Sequence, residues 1–142
     1  MGPVLYRAFL LDEPTALAAG HRPCFECRRE DAQVFAEYWR KAHKLRRRPR
    51  AAEMDEVLHR ERLNGRAKRL HRRKIESLPD GAFITLEGAA FAVCGNVLLR
   101  WTADGYDACA PRPRQVMVEV LTPPAVLGVL AAGYQPRWHP SA

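Results

Sequence analysis

The stretch 78-LPDGAFITLEGAAFAVCGNVLLRW-101 decides the fold class. Leu78-Pro79-Asp80-Gly81 signals a chain reversal, because proline pre-sets its own φ and Asp and Gly tolerate the turn conformations. Three short apolar runs follow, Ala82–Glu87, Ala90–Cys94 and Val97–Trp101, each of strand length. Gly88 and Gly95-Asn96 stand between them as tight turns, so the stretch reads as a three-stranded antiparallel meander. Downstream, Thr102–Arg114 is polar and Pro-rich and reads as a long loop, and Gln115–Leu121 alternates like another strand. Thr122-Pro123-Pro124 then opens a helix over Ala125–Ala132, closed by Gly133, because Pro fits the first turn of a helix and Gly its end. The tail, Tyr134–Ala142, reads as irregular.

Upstream of the meander the chain becomes strongly basic. Arg40–Lys74 holds 15 Lys or Arg against the acids Glu53, Asp55, Glu56 and Glu61, a net of +11. The whole chain carries +7, so the remainder is −4 (7 − 11), and the charge is concentrated rather than spread. Arg46-Arg47-Arg48-Pro49-Arg50 reads as an exposed loop broken by its proline. Met54, Val57 and Leu58 mark a short helix ending near Asn64-Gly65, and Ala67, Leu70, Lys74/Ile75 and Leu78 suggest another. Both have thin apolar stripes and are expected to lie on a core made elsewhere. Arg46, Arg47, Arg48 and Arg50, extended by Arg66, Lys68, Arg69, Arg72, Arg73 and Lys74, form a set able to neutralise phosphates and release counterions. Such contacts give affinity without sequence preference. A solvated helical face is the plainer reading of the same residues.

The N-terminal part opens with Tyr6–Leu11 as a candidate strand. Asp12 suits an N-cap, Pro14 the first turn, Ala16–Ala19 a short helix and Gly20 its end. A Cys-x-x-Cys knuckle, Cys24 to Cys27, follows, and Glu30 and Asp31 then open a second helix whose apolar face is Ala32, Phe35, Tyr38, Trp39 and Ala42. Two thiolates at this spacing can grip a soft cation such as zinc, which takes four tetrahedral ligands. Arg22, Arg28 and Arg29 are placed to offset thiolate charge. The chain has four cysteines, and Cys94, Cys109 or His21 are the candidates to complete a zinc site. The N-terminus has no basic-then-apolar leader pattern and no apolar run long enough for a membrane helix, so a reducing cytoplasm is the expected setting, where such a pair is metal-binding or redox-active rather than a structural disulfide.

The segment Phe9–Arg29 resembles the second half of the zinc module of Ada-type DNA phosphotriester repair proteins and of related modules attached to bacterial nucleases. The resemblance is carried by Phe9-Leu10-Leu11, by the helix end Ala16-Leu17-Ala18-Ala19-Gly20, and by His21-Arg22-Pro23-Cys24-Phe25-Glu26-Cys27. It implies a zinc-binding element in a nucleic-acid setting, with Cys24 and Cys27 as ligands. The module's other ligands, its methyl-accepting cysteine included, lie upstream of the matching strand and have no counterpart here, so methyl transfer is not implied. Either an N-terminal extension holds them, or Cys94, Cys109 or a histidine takes their place.

His59 and His71 sit in similar settings, Leu58-His59-Arg60 and Leu70-His71-Arg72. Asp55, Glu56 and Glu61 near His59 form a possible acid/base group, or more simply helical ion pairs. Trp101, Tyr106, Tyr134 and Trp138 are able to stack on bases, but packing on the sheet is the simpler role. No phosphate loop, nucleophile elbow or His-Glu-x-x-His is present. The expected fold is α+β: one domain over 1–142, with a Cys-knuckle helical part at 1–42, a basic helical segment at 43–77, and a small antiparallel sheet with a closing helix at 78–142. The expected function is a zinc-knuckle-like, nucleic-acid-associated protein without a membrane role. Its alternatives are an enzyme acting on nucleic acid or a small anion through His/carboxylate chemistry, and a structural domain with a vestigial metal half-site.

Overall fold

The computed structural model describes residues 12–26, 28–64, 67–68 and 71–142. Among them the helices are α1 (Glu13–Ala18), α2 (Arg29–Ala42), α3 (Ala51–Arg62) and α4 (Pro124–Ala131). Leu63–Asn64 (β1) and Ala67–Lys68 (β2) form a two-residue ladder. The main sheet holds β3 (His71–Lys74), β4 (Phe83–Leu86), β5 (Ala89–Cys94), β6 (Val97–Thr102), β7 (Gly105–Pro111) and β8 (Met117–Val120), in the order β3-β8-β4-β5-β6-β7 with every pair antiparallel. The protein is thus α+β with a small antiparallel sheet, as its sequence indicates. The expected strand at Tyr6–Leu11 lies outside the described residues.

The helices form because their apolar residues have somewhere to go. Phe35, Ala36 and Trp39 of α2 meet Met54 and Leu58 of α3 and Val126, Val129 and Leu130 of α4 in one buried cluster with Leu17 and Tyr134. Met54 and Leu58 are 0% and 2% exposed, so α3 is part of the core. The thin stripe misled because two large side chains, one turn apart, are enough to seat a helix. Burial of each is worth ~1.5–3 kcal/mol. Gly128 lets α4 approach α2 closely: a Cβ there would stand 3.3 Å from the Ala42 Cβ. Nearly every side of α4 is apolar, and it also feeds Leu127 into the cluster of Ile84, Val93, Leu98, Val118 and Val120 on one sheet face. The other sheet face packs Phe83, Ala92, Leu99, Tyr106 and Leu121 against Ala18 of α1.

Two expectations are corrected, both at the sheet's edges. The helix expected over Ala67–Leu78 is instead β3 followed by a 3₁₀ turn, Ile75–Ser77. Ile75 and Leu78 are buried as expected, but by the turn that leads into β4. Arg72, Arg73 and Lys74 are exposed along β3, where charge guards an edge strand, and Arg72 faces Glu119 across the ladder. The loop expected over Thr102–Arg114 holds β7, which extends the meander by a fourth strand. Its turn is Ala103-Asp104, where Thr102 Oγ1 donates to the Gly105 carbonyl at 2.7 Å and accepts from the Asp104 N–H at 3.3 Å.

Arg112 pins the end of this strand to the rest of the sheet. Its guanidinium donates to the carbonyls of Ile75, Leu78 and Gly95. Hydrogen bonds to a charged group are worth about 1.5–3 kcal/mol. Arg112→Ala is therefore expected to destabilise by ~2 kcal/mol in a urea titration. Arg112→Lys should recover little, because a point charge cannot span three carbonyls as a planar fork does. A lysine variant with native stability would count against this account.

Candidate functional site

The knuckle is built from the end of α1 outward. Asp12 caps α1 by accepting from the Thr15 N–H, and Thr15 Oγ1 in turn accepts from the Asp12 N–H. Gly20, at φ +89, turns the chain out of the helix. Pro23 is buried and Cys24 exposed. The Arg28 N–H donates to the Cys24 carbonyl at 2.8 Å, closing the turn that delivers the chain into α2. Cys27 lies outside the described residues.

Two of the three arginines expected to offset thiolate charge, Arg22 and Arg28, are committed elsewhere. Arg22 makes a two-pronged bond to Asp55 of α3, Nε to Oδ1 at 2.8 Å and Nη2 to Oδ2 at 2.9 Å. It also lies 5.6 Å from the centre of the Phe25 ring. Arg28 holds Asp31 at 2.6 Å and reaches Glu13 at 3.3 Å. Its guanidinium is raised above its ordinary pKa by Asp31 and Glu13 despite the opposing effect of burial. Arg29 is exposed.

Arg22 thereby docks the knuckle onto α3 and leaves a groove of about 450 Å³ between them. His21, Arg22 and Cys24 form one wall, and Asp55, Leu58 and His59 the other. Asp55 and His59 are four positions apart and share a helix face. Among the described residues no three His, Cys, Asp or Glu side chains gather as a metal-binding group. Cys94 closes β5 beside Asp80, half-buried, its thiol pushed up first by desolvation and then by that carboxylate. Cys109 is exposed on β7 opposite Leu99, rather than on a loop able to swing. Neither lines the groove.

The basic residues divide into two groups. Arg46, Arg47, Arg48 and Arg50 are all exposed on a loop anchored by the buried Pro49, directly before α3. Arg48 pairs with Glu37 at 3.2 Å and Arg47 with Glu53 at 3.3 Å. Hydrogen bonds from Arg40 and then Arg48 hold the Glu37 carboxyl down at about 2. Glu53 also accepts the Arg50 N–H at 2.7 Å and so caps the start of α3. On β3, side chains alternate, so Arg72 and Lys74 share one face and Arg73 the other. They do not continue one helical stripe. Arg66 and Arg69 lie outside the described residues, and Lys68 falls in β2.

The carboxylates near His59 are dispersed. Asp55 is bound by Arg22, and Glu61 accepts the Ala125 N–H at 2.8 Å. That amide is in the first turn of α4, which has no side-chain cap of its own after Pro123. His71 Nε2–H donates to the Thr122 carbonyl at 2.7 Å on the edge of the sheet. Tyr106 and Tyr134 are buried, in keeping with packing rather than base stacking.

One arrangement escaped the sequence reading. Glu13 is buried and accepts from the Tyr134 hydroxyl at 2.6 Å and the Arg137 N–H at 2.8 Å. Asp12 Oδ2 accepts from the Tyr106 hydroxyl at 2.9 Å and the His139 N–H at 3.0 Å. The hint was two adjacent acids at a helix start, too weak a sign to pair with a tail across the chain. Compared with protein-family models, with curated proteins and with solved structures, the chain matches none.

Proposed function

We propose that this is a nucleic-acid-associated protein in which Cys24 and Cys27 hold a structural zinc ion and the exposed arginines bind phosphate. The observation that carries the reading is the loop 46–50, four exposed arginines held by one buried proline. It sits at the start of α3, the helix that also forms one wall of the Cys24 groove. Two of the four arginines have carboxylate partners, but these pairs are open to solvent and screened by it, so a phosphate competes with them readily. A thiol and two imidazoles line the groove, and a second thiol stands three positions on in the sequence, side-chain types that zinc takes as ligands. The resemblance of 9–29 to the Ada-like module points the same way.

The enzyme alternative draws less support. Two of the three carboxylates near His59 are engaged, Asp55 in the Arg22 fork and Glu61 in capping α4, and Glu56 is exposed on α3. Protein purified without chelator is expected to carry about one zinc per chain by mass spectrometry of metals. It should also bind labelled duplex or single-stranded polynucleotide with an affinity that falls steeply with salt. Absence of zinc would leave the knuckle a remnant, and salt-independent binding, or none, would remove the nucleic-acid reading.

A further inference from the structure

Away from the knuckle and the basic loop, we infer that the pocket between the Asp80 turn, the end of α4 and the C-terminal tail binds an alkylammonium group. The pocket holds about 370 Å³, and its walls include Asp80, Leu130, Tyr134, Pro136 and Trp138. Those walls are fixed by contacts elsewhere in the fold. Gly81, at φ +93, lets the tail close on the turn: a Cβ there would stand 3.0 Å from Pro136 Cγ and 3.3 Å from Leu130 Cδ2. Tyr134 is anchored by its hydroxyl to Glu13. Trp138 is held on both sides, by the Arg137 N–H on Glu13 and the His139 N–H on Asp12. Its ring centre stands 5.9 Å from that of Tyr106. A site fixed before its ligand arrives loses less ordering entropy on binding.

The lining selects a cation with an apolar stem. Asp80 is the charged residue among the described residues that line the pocket. Its Oδ1 accepts from the Gly95 N–H at 2.8 Å, which fixes the carboxylate, and among the described residues Oδ2 has no partner. Arg112 approaches the same Gly95 but gives its hydrogen bonds to carbonyls and makes no ion pair with Asp80. An anion is therefore repelled. A neutral apolar ligand would strip water from the carboxylate and return nothing. A hard metal ion asks for about six oxygens, and no three metal donors gather among the described residues. An alkylammonium meets every wall: its N–H groups suit Asp80, its charge suits the Trp138 indole, and its stem suits Leu130 and Pro136. Asp80 is exposed at the rim, so the expected affinity is in the millimolar range.

Titration of the full chain with n-butylammonium chloride at constant ionic strength tests this, read by nuclear magnetic resonance on the Trp138 indole and the Gln135 amide. Both signals should shift and saturate. Asp80→Asn, which keeps an oxygen for the Gly95 N–H, should weaken binding about three- to fivefold, and Trp138→Leu, followed on Gln135, by a similar factor. Glu119→Gln removes the same charge from an exposed position on β8 and should bind as the wild type. The neutral analogue n-butanol should bind at least about threefold more weakly. Shifts that do not saturate, equal binding of n-butanol, or Asp80→Asn binding no more weakly than Glu119→Gln would each overturn the site. Two sources carry this group, a free amine and the lysine side chain of a partner. Nα-acetyl-lysine amide bound as tightly as n-butylammonium supports the site with lysine as its source, and weaker binding of the amide supports it with a free amine.

Discussion

Glu13→Ala should cost this protein about 3 kcal/mol, a large share of the ~5–15 kcal/mol that separates folded from unfolded domains. The carboxylate is 5% exposed and serves the Tyr134 hydroxyl, the Arg137 N–H and the Arg28 guanidinium together. Alanine leaves the Tyr134 hydroxyl without its acceptor in a buried place, and unmade buried hydrogen bonds are more costly than made ones are favourable. Arg28 keeps Asp31, which places the loss at the lower end of the range for a broken buried ion pair. Glu13→Gln keeps an acceptor oxygen and should lose less. Urea unfolding read by circular dichroism provides the measurement, with a lower midpoint at unchanged slope expected. The exposed Glu30→Ala is the control, with a shift within about 0.5 kcal/mol. Equal midpoints for Glu13→Ala and Glu30→Ala would show that the tail contacts contribute nothing.

The second large effect is on binding. Replacing Arg46, Arg47, Arg48 and Arg50 together by glutamine should flatten the salt dependence of polynucleotide affinity. Each neutralised phosphate adds roughly −0.9 to the slope of log affinity against log salt for duplex DNA. If all four arginines engage, the variant should lose a slope of about 3 to 4, and most of the roughly hundredfold drop between about 50 and 200 mM salt with it. The weakening should be similar across sequences, because phosphate contacts carry no base information. The four side chains are exposed, so thermal stability should hardly move. Fluorescence anisotropy at several salt concentrations measures this, and an unchanged slope would place the phosphate contacts elsewhere.

How much of this was legible depended on how local the information is. The strands Phe83–Leu86, Ala89–Cys94 and Val97–Thr102 could be read because Gly88 and Gly95-Asn96 punctuate apolar runs. Helix α2 could be read because Ala32, Phe35 and Trp39, all buried, recur at its period. The edge strands hid themselves. β3 is His-Arg-Arg-Lys, whose side chains answer to solvent rather than to a core, and β7 is Gly-Tyr-Asp-Ala-Cys-Ala-Pro, too small and polar to alternate. An edge strand has one partner, so its pairing is decided by the neighbour more than by its own residues. The Cys pair announced itself by spacing, but the groove did not. Its opposite wall is brought up by Arg22 and Asp55, which are 33 positions apart, and neither residue carries a sign of the other.

The long-range bonds of Asp12 and Glu13 also set a timetable. Glu13 meets Tyr134 across 121 positions, and Asp12 meets His139 across 127. At about 5–20 residues per second of synthesis, Glu13 waits roughly 6–24 s before its partner hydroxyl exists. During that interval the acids of α1 stay hydrated, and the sheet face that α1 and the tail cover stays open. Docking of α1 is therefore a late event in the life of the nascent chain, and contacts of such sequence separation slow the final closure as well. Chaperone dependence in the cell should trace both to this face, Phe83, Ala92, Leu99 and Tyr106, and to the helical cluster, which waits for Val126, Val129 and Leu130 of α4.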